Sequence, residues 1–257
     1  MAIRQETPMQ DATNDLTQSA IPSSTIFDTD RKAESVAAIP CRTIHWQYKE
    51  HHLSIKQFAD FEATLSQAAD HTEQDEQWPL FGQIWPAAAA MGRHLIDSKP
   101  TIDWKQQTIL ELGCGLALPG LLCAKWGAKV IATDVHPMVA DFLEANRQSN
   151  GIASDRIQYQ ALDYSVPETL PPDWLESAGI TYILACDVLY EPKLYPAIVE
   201  SLLRLSQRPI PILIADPIRY ALDEFLQLAR SRGLQAEPLT DDQADEILLR
   251  LTQTVHK

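Results

Sequence analysis

Between Ile109 and Pro119 an apolar run ends in the acid Glu111, and the turn Gly113-Cys114-Gly115 follows at once. Glycine permits the backbone angles and the close ligand approach that a strand-to-helix reversal over a bound nucleotide requires. Asp134 stands nineteen residues beyond Gly115, after a second strand-like run from Lys129 to Thr133. A carboxylate there accepts hydrogen bonds from both hydroxyls of a ribose, so the spacing points to an adenosine ligand.

What is missing narrows the choice of ligand. The dinucleotide fingerprint has a third glycine three positions after the second, and that position is Leu118, with Gly120 two residues later. Glu111 beside the turn repels phosphates and suits a ligand with a positively charged end. S-adenosylmethionine, with a sulfonium and an α-ammonium group, fits that electrostatics, and a nicotinamide dinucleotide does not. The bland alternative is a glycine turn that only packs a helix.

The elements needed to hold these residues are readable along the chain. Strand-like runs cover Thr108 to Leu112, Lys129 to Thr133, Ile157 to Leu162, Ile180 to Cys186 and Ile210 to Ala215. Helical stretches from Pro119 to Trp126, Pro137 to Ser149, Leu194 to Ser206 and Tyr220 to Ser231 alternate with them. Such alternation predicts a mainly parallel sheet with helices on both faces. Leu234 to Leu239 and Glu246 to Thr252 read as a closing antiparallel hairpin around the acidic Asp241 to Asp245, which brings the sheet to seven strands. A helix over Asp242 to Leu251 is the competing reading.

Ahead of this core, residues 108–257, lies an extension over 39–107. Thr43 to Phe58 suggests two short strands around a polar turn, with His51 and His52 as solvated turn residues rather than metal ligands. A polar segment, Ala68 to Gln77, leads to Trp85-Pro86 and an alanine-rich helix to about Ile96. Residues 1–38, rich in Gln, Thr, Ser, Asp and Ala, are expected to form a flexible tail.

Composition sets outer bounds. The chain has 257 residues, 45% of them hydrophobic, enough for one large α/β core. Its 21 basic and 35 acidic residues give a formal charge of −14, which disfavours nucleic acid and favours a neutral or basic partner. Cys41, Cys114, Cys123 and Cys186 form no metal-type spacing, so no metal site is expected. With no basic-then-apolar leader and no apolar run long enough to span a bilayer, a cytoplasmic protein without a membrane contact is expected, working as a monomer.

Four blocks from about Leu80 onward resemble the seven-strand, class I S-adenosylmethionine-dependent methyltransferases, in the group of protein-lysine and nicotinamide-N-methyltransferase-like enzymes. They are Trp85-Pro86, Glu111-Leu112-Gly113-Cys114-Gly115 with Leu118-Pro119-Gly120, Leu162-Asp163-Tyr164, and Asp187-Val188-Leu189-Tyr190. The last is similar to the group's Asp-x-x-Tyr signature. The resemblance implies a Rossmann-like, doubly wound, three-layer αβα fold. It also implies that Glu111, Gly113, Cys114 and Gly115 hold the methionine part of the cofactor, Asp134 the ribose, and Asp163 with Tyr164 the adenine. Trp85 would cap the cofactor and Cys186 contribute to its wall. Asp187 and Tyr190 would line the mouth where the methyl acceptor enters.

The sequence departs from that pattern at Ala117, often a third glycine, and at Tyr164, often a tryptophan. Asp216-Pro217-Ile218-Arg219 resembles a motif of several members but reads equally as a turn. Bland readings stand beside the others too: Trp85 as a core aromatic, Asp163 as a turn former, His136 as a helix start and Cys114 as a small turn residue.

The implied reaction needs an unprotonated amine, and a free lysine is mostly protonated at neutral pH. Asp187 is expected to capture and orient the cation and relay its proton to water, with Tyr190 positioning the nitrogen. A carboxylate alone works against that proton loss. The acceptor is expected to be a lysine side chain of a protein, with a small amine as the alternative. A binding protein without catalysis is the non-enzymatic reading.

Overall fold

The computed structural model describes residues 19–21, 39–69, 78–170, 178–206, 209–240 and 244–253. The core is a seven-stranded sheet ordered β6-β5-β4-β7-β8-β10-β9. Its strands are β4 (Thr108–Leu112), β5 (Lys129–Asp134), β6 (Ile157–Ala161), β7 (Tyr182–Cys186), β8 (Ile212–Asp216), β9 (Leu234–Pro238) and β10 (Ile247–Gln253). The first five run parallel, and β10 is antiparallel to both β8 and β9. The closing hairpin is therefore present, and pairing of Leu248 with Ala215 and Leu251 with Ile212 settles the helix alternative. Part of its acidic connection, 241–243, lies outside the described residues.

Short apolar strands in a parallel sheet are buried on both faces, and side chains alternate between two cores. Ile109 and Leu184 pack into one core with helices α2 (Pro86–Ser98), α3 (Leu118–Lys125) and α4 (Val139–Ser149). Leu110, Leu112, Ile183 and Ala185 pack into the other with α5 (Tyr195–Leu205) and α6 (Leu222–Ser231). Three layers result. The strand order reverses between β4 and β7, and the crevice at their carboxyl ends is where an open α/β sheet binds ligands.

The extension is larger than two short strands. β2 (Ile39–Tyr48) and β3 (His51–Phe58) form a hairpin whose turn carries Lys49 at φ 52°. Leu53, Ile55 and Phe58 of β3 join the first core. Asn146 and Asn150 on α4 act as a surrogate strand along β3: the backbone N–H groups of Lys56 and Ser54 donate to their Oδ1 atoms at 2.6 and 2.9 Å. Helix α1 (Phe61–Ala69) follows, capped by Asp60, whose Oδ1 accepts from Ala63 N–H at 3.0 Å. The polar segment after it lies mostly outside the described residues. So does the expected N-terminal tail, except that Ser19–Ile21 (β1) pair antiparallel with β2.

Candidate active site

The loop from β4 to α3 is built on left-handed residues, with φ 57° at Gly113, 51° at Gly115 and 55° at Ala117. Ala117 keeps the backbone shape of the absent glycine, at a cost of about 1–2 kcal/mol. The Cβ of any other residue at Gly113 would lie 3.2 Å from both Tyr164 Cε1 and Val188 Cγ1, so this glycine is also set by space. Asp134, at the end of the neighbouring strand, fastens the loop: its Oδ2 accepts from Gly115 N–H and its Oδ1 from His136 N–H, each at 3.0 Å. Burial raises the pKa of Asp134, and these main-chain donors oppose the rise. A carboxylate offers about four acceptor positions, so two N–H groups leave room for a diol.

Glu111 occupies the same strand face as Ile109, the face that α3 covers. Its carboxyl is 1% exposed and accepts from Gly120 N–H at 3.0 Å. Burial, first, and the nearby Asp134 push its pKa up to about 8, against the pull of that hydrogen bond. A Cβ at Gly120 would stand 2.3 Å from Glu111 Oε2. The third glycine of this region thus admits the helix onto the acid, a role that spacing did not reveal.

The segment Leu80–Gly82 closes over the loop. Phe81 lies 3.7 Å from where a Cβ on Gly115 would sit, and stacks with His136, Phe142 and Phe58 at centroid distances of 4.6, 5.2 and 5.3 Å. Trp85 caps α2 with Pro86 at its first turn, donates from Nε1 to Leu80 O at 2.9 Å and meets Phe61 edge-on at 5.5 Å. It holds the covering segment in place. Phe81 is the residue that sequence reasoning passed over here, and His136, weighed as a ribose neighbour or a helix start, packs against it.

On the other wall, Asp163 Oδ1 accepts from the N–H and hydroxyl of Ser165 at 2.8 and 2.6 Å. Ser201 on α5 donates to Tyr164 O at 2.6 Å, and the Tyr164 ring crosses Gly113. Burial raises the pKa values of the Tyr164 and Tyr190 phenols, which also influence each other. Tyr190 is 44% exposed at the rim. The thiols of Cys114 and Cys186 are pushed up by burial and by neighbouring carboxylates, which leaves both un-ionised.

Asp187 directly follows β7 in a left-handed conformation, φ 62°, with its N–H on Ala215 O at 2.9 Å. Its Oδ1 is paired with Arg219 Nη2. Arg219 also binds Asp216, through Nη1 to Oδ2 and through its backbone N–H to Oδ1 at 3.0 Å. Ile218 between them has φ 57°, a conformation a β-branched residue adopts only under constraint, at about 1–3 kcal/mol. The structure therefore joins Asp187 to Arg219. The only sequence signal for Arg219 was the Asp-Pro-Ile-Arg turn.

These residues fit an adenosine cofactor with a cationic end. The loop amide of Gly115, which a dinucleotide phosphate would need, already donates to Asp134. Asp134 with the Gly113–Gly115 main chain would hold such a group, under Phe81 and beside Tyr164. Among solved structures the fold is that of the 16S rRNA N2 G1207 methyltransferase RsmC of Thermus thermophilus: TM-score 0.57, 16% identity, 87% of this chain and 53% of that one. The fold is that of the S-adenosylmethionine-dependent methyltransferases. Residues 67–232 match the family described as lysine methyltransferase, and the chain belongs to that family. It is 32% identical over 188 residues to the protein N-lysine methyltransferase METTL21A of Danio rerio, covering 72% of this chain and 83% of the relative. It is 34% identical over 125 residues to the histone-arginine methyltransferase METTL23 of Xenopus laevis, covering 49% and 51%.

Proposed function

We propose that this chain methylates the side-chain amine of a lysine in a protein, with Asp187 and Tyr190 at the acceptor mouth. The observation that carries the reading is the Asp187 carboxylate, held by Arg219 just beyond β7 at the strand-order switch, three residues before the exposed Tyr190. When bound, S-adenosylmethionine supplies an electrophilic methyl group. Asp134 binds the ribose hydroxyls, Asp163 and Tyr164 border the adenine, Cys186 contributes to the cofactor wall, and Trp85 acts by fixing the Leu80–Gly82 cover. Glu111 and the Gly113-Cys114-Gly115 main chain shape the methionine end.

Asp187 orients the entering ammonium, and Tyr190 presents its ring and hydroxyl to the nitrogen. A lysine amine, with an ordinary pKa of about 10.4, must lose a proton before it can attack, and partial desolvation at the mouth favours the neutral form. The net charge of −14 attracts a basic protein segment and repels nucleic acid. The free thiols among the described residues suit a reducing compartment, the cytoplasm, and the exposed large apolar side chains lie mainly at the rim of the site, which suits a monomer. No helix among the described residues is long and apolar enough to cross a membrane.

The test is transfer of labelled methyl into a cell lysate, followed by separation of protein from small molecules and acid hydrolysis of the protein. Methyl-lysine is the expected product. Label in small amines only, label as methyl-arginine, or no transfer despite cofactor binding would each replace the reading with a different one.

A further inference from the structure

Asp187 directly follows β7, Asp216 ends the adjacent β8, and one arginine joins the pair. Arg219 makes three hydrogen bonds to Asp187 and Asp216, and Asp216 is fully buried. Withdrawing the guanidinium would strand a buried carboxylate, so an entering substrate does not displace it. The left-handed turn at Ile218 brings Arg219 back to both acids, and the Arg219 side chain is only 25% exposed. Arg219 is a fixed counter-charge. Asp187 Oδ2 makes no hydrogen bond among the described residues, on a side chain that is 9% exposed.

That arrangement bears on a difficulty in the reaction. A bare carboxylate beside an ammonium raises the amine pKa by about 1–3 units, and a protonated amine has no lone pair for attack. Resting on the reading that the acceptor is a lysine, we propose that Arg219 is a positioning residue that offsets the charge of Asp187, so that this acid can orient the ammonium and still let it release a proton. In that release one N–H bond of the ammonium breaks, its electron pair stays on nitrogen, and the proton passes over the Asp187 carboxylate to water. The other charged and titratable groups near the cluster are Tyr195 on α5, which feels Asp216 and Arg219 together with Tyr220 and Glu224, and Cys186, which feels Asp187 together with Glu111. Arg93 and Glu246 pair with each other beside the end of β8.

The experiment uses the full chain, labelled methyl donor and lysate protein as acceptor, with initial rates from about pH 6 to about pH 10 and methyl-lysine counted after hydrolysis. In Arg219→Gln the rise of rate with pH moves up by about one unit, so the rate near neutrality falls about tenfold and recovers in alkali. Arg219→Lys keeps the charge and the wild-type position of the rise. Binding of S-adenosylhomocysteine by calorimetry, unchanged within about threefold, shows that each variant is folded. Should Arg219→Gln fail that check, Arg219→Lys decides: a rise displaced upward overturns the proposal, and an unmoved one supports it. A rate lost equally at every pH in the folded Arg219→Gln variant overturns the inference alone. Absence of methyl-lysine from the wild-type reaction overturns the lysine reading and the inference with it.

Discussion

Replacing Gly120 with alanine tests the packing on which the cofactor turn rests. Helix propensity alone favours the change by about 1 kcal/mol. The new Cβ, however, would be 2.3 Å from Glu111 Oε2 and 3.1 Å from Val130 Cγ1. To reach ordinary contact the carboxyl must retreat by about 1 Å, which stretches its 3.0 Å bond to Gly120 N–H beyond hydrogen-bonding range. Leaving a buried acid and a buried amide unsatisfied costs about 1–3 kcal/mol, and overpacking adds about 1–3. The net expected loss is about 3 kcal/mol, a fall in melting temperature of roughly 6–12 °C for a domain of this size. Thermal and urea unfolding of Gly120→Ala, Glu111→Ala and the double variant measure it. In the Glu111→Ala background the added methyl should be nearly neutral. A Gly120→Ala protein more stable than wild type, or an equal cost in both backgrounds, would refute the reasoning.

Further predictions concern charge, docking and the acceptor mouth. The Glu111 carboxyl, raised from 4.5 to about 8 by burial, binds its proton more tightly in the folded state. Its stabilising contribution is full below about pH 4.5 and is lost as pH rises towards 8, so the melting temperature of the cofactor-free protein should fall across that window by the equivalent of a few kcal/mol. Glu111→Gln should flatten most of that slope. Asn146→Ala removes the acceptor for Lys56 N–H on β3 and should cost about 2 kcal/mol, or roughly 4–8 °C, in calorimetry. Asp187→Ala and Tyr190→Phe should each lower labelled-methyl transfer while leaving S-adenosylhomocysteine affinity within about threefold, and full turnover in both would remove them from the mechanism.

The parts of the fold readable from sequence were those with local signatures. The runs ending in Leu112, Thr133, Cys186 and Ala215 are short, apolar and followed by turn residues, as strands buried on both faces must be. The closing hairpin was ambiguous because Leu248, Leu249 and Leu251 suit either period, and only pairing with β8 decides. Helix α1 had no distinct signal apart from Asp60 at its start. In the site, Gly113, Gly115 and Asp134 were recognisable because their spacing reflects one βαβ unit. Glu111 was expected to face the ligand, yet strand parity turns it under α3, towards Gly120 nine residues on. Arg219 was hidden because its importance comes from a left-handed Ile218 and from Asp187, thirty-two residues away, neither of which a local pattern reports.

The most direct test of whether the glycine turn and Asp134 hold S-adenosylmethionine rather than a dinucleotide is calorimetric titration of the full chain. One-to-one binding of S-adenosylmethionine and S-adenosylhomocysteine is expected, with no heat from NAD and a loss of at least about tenfold in affinity in Asp134→Ala, which removes the ribose acceptor and the hold on the Gly115 amide. Tight binding of NAD with no response to either methyl-cycle ligand would contradict it.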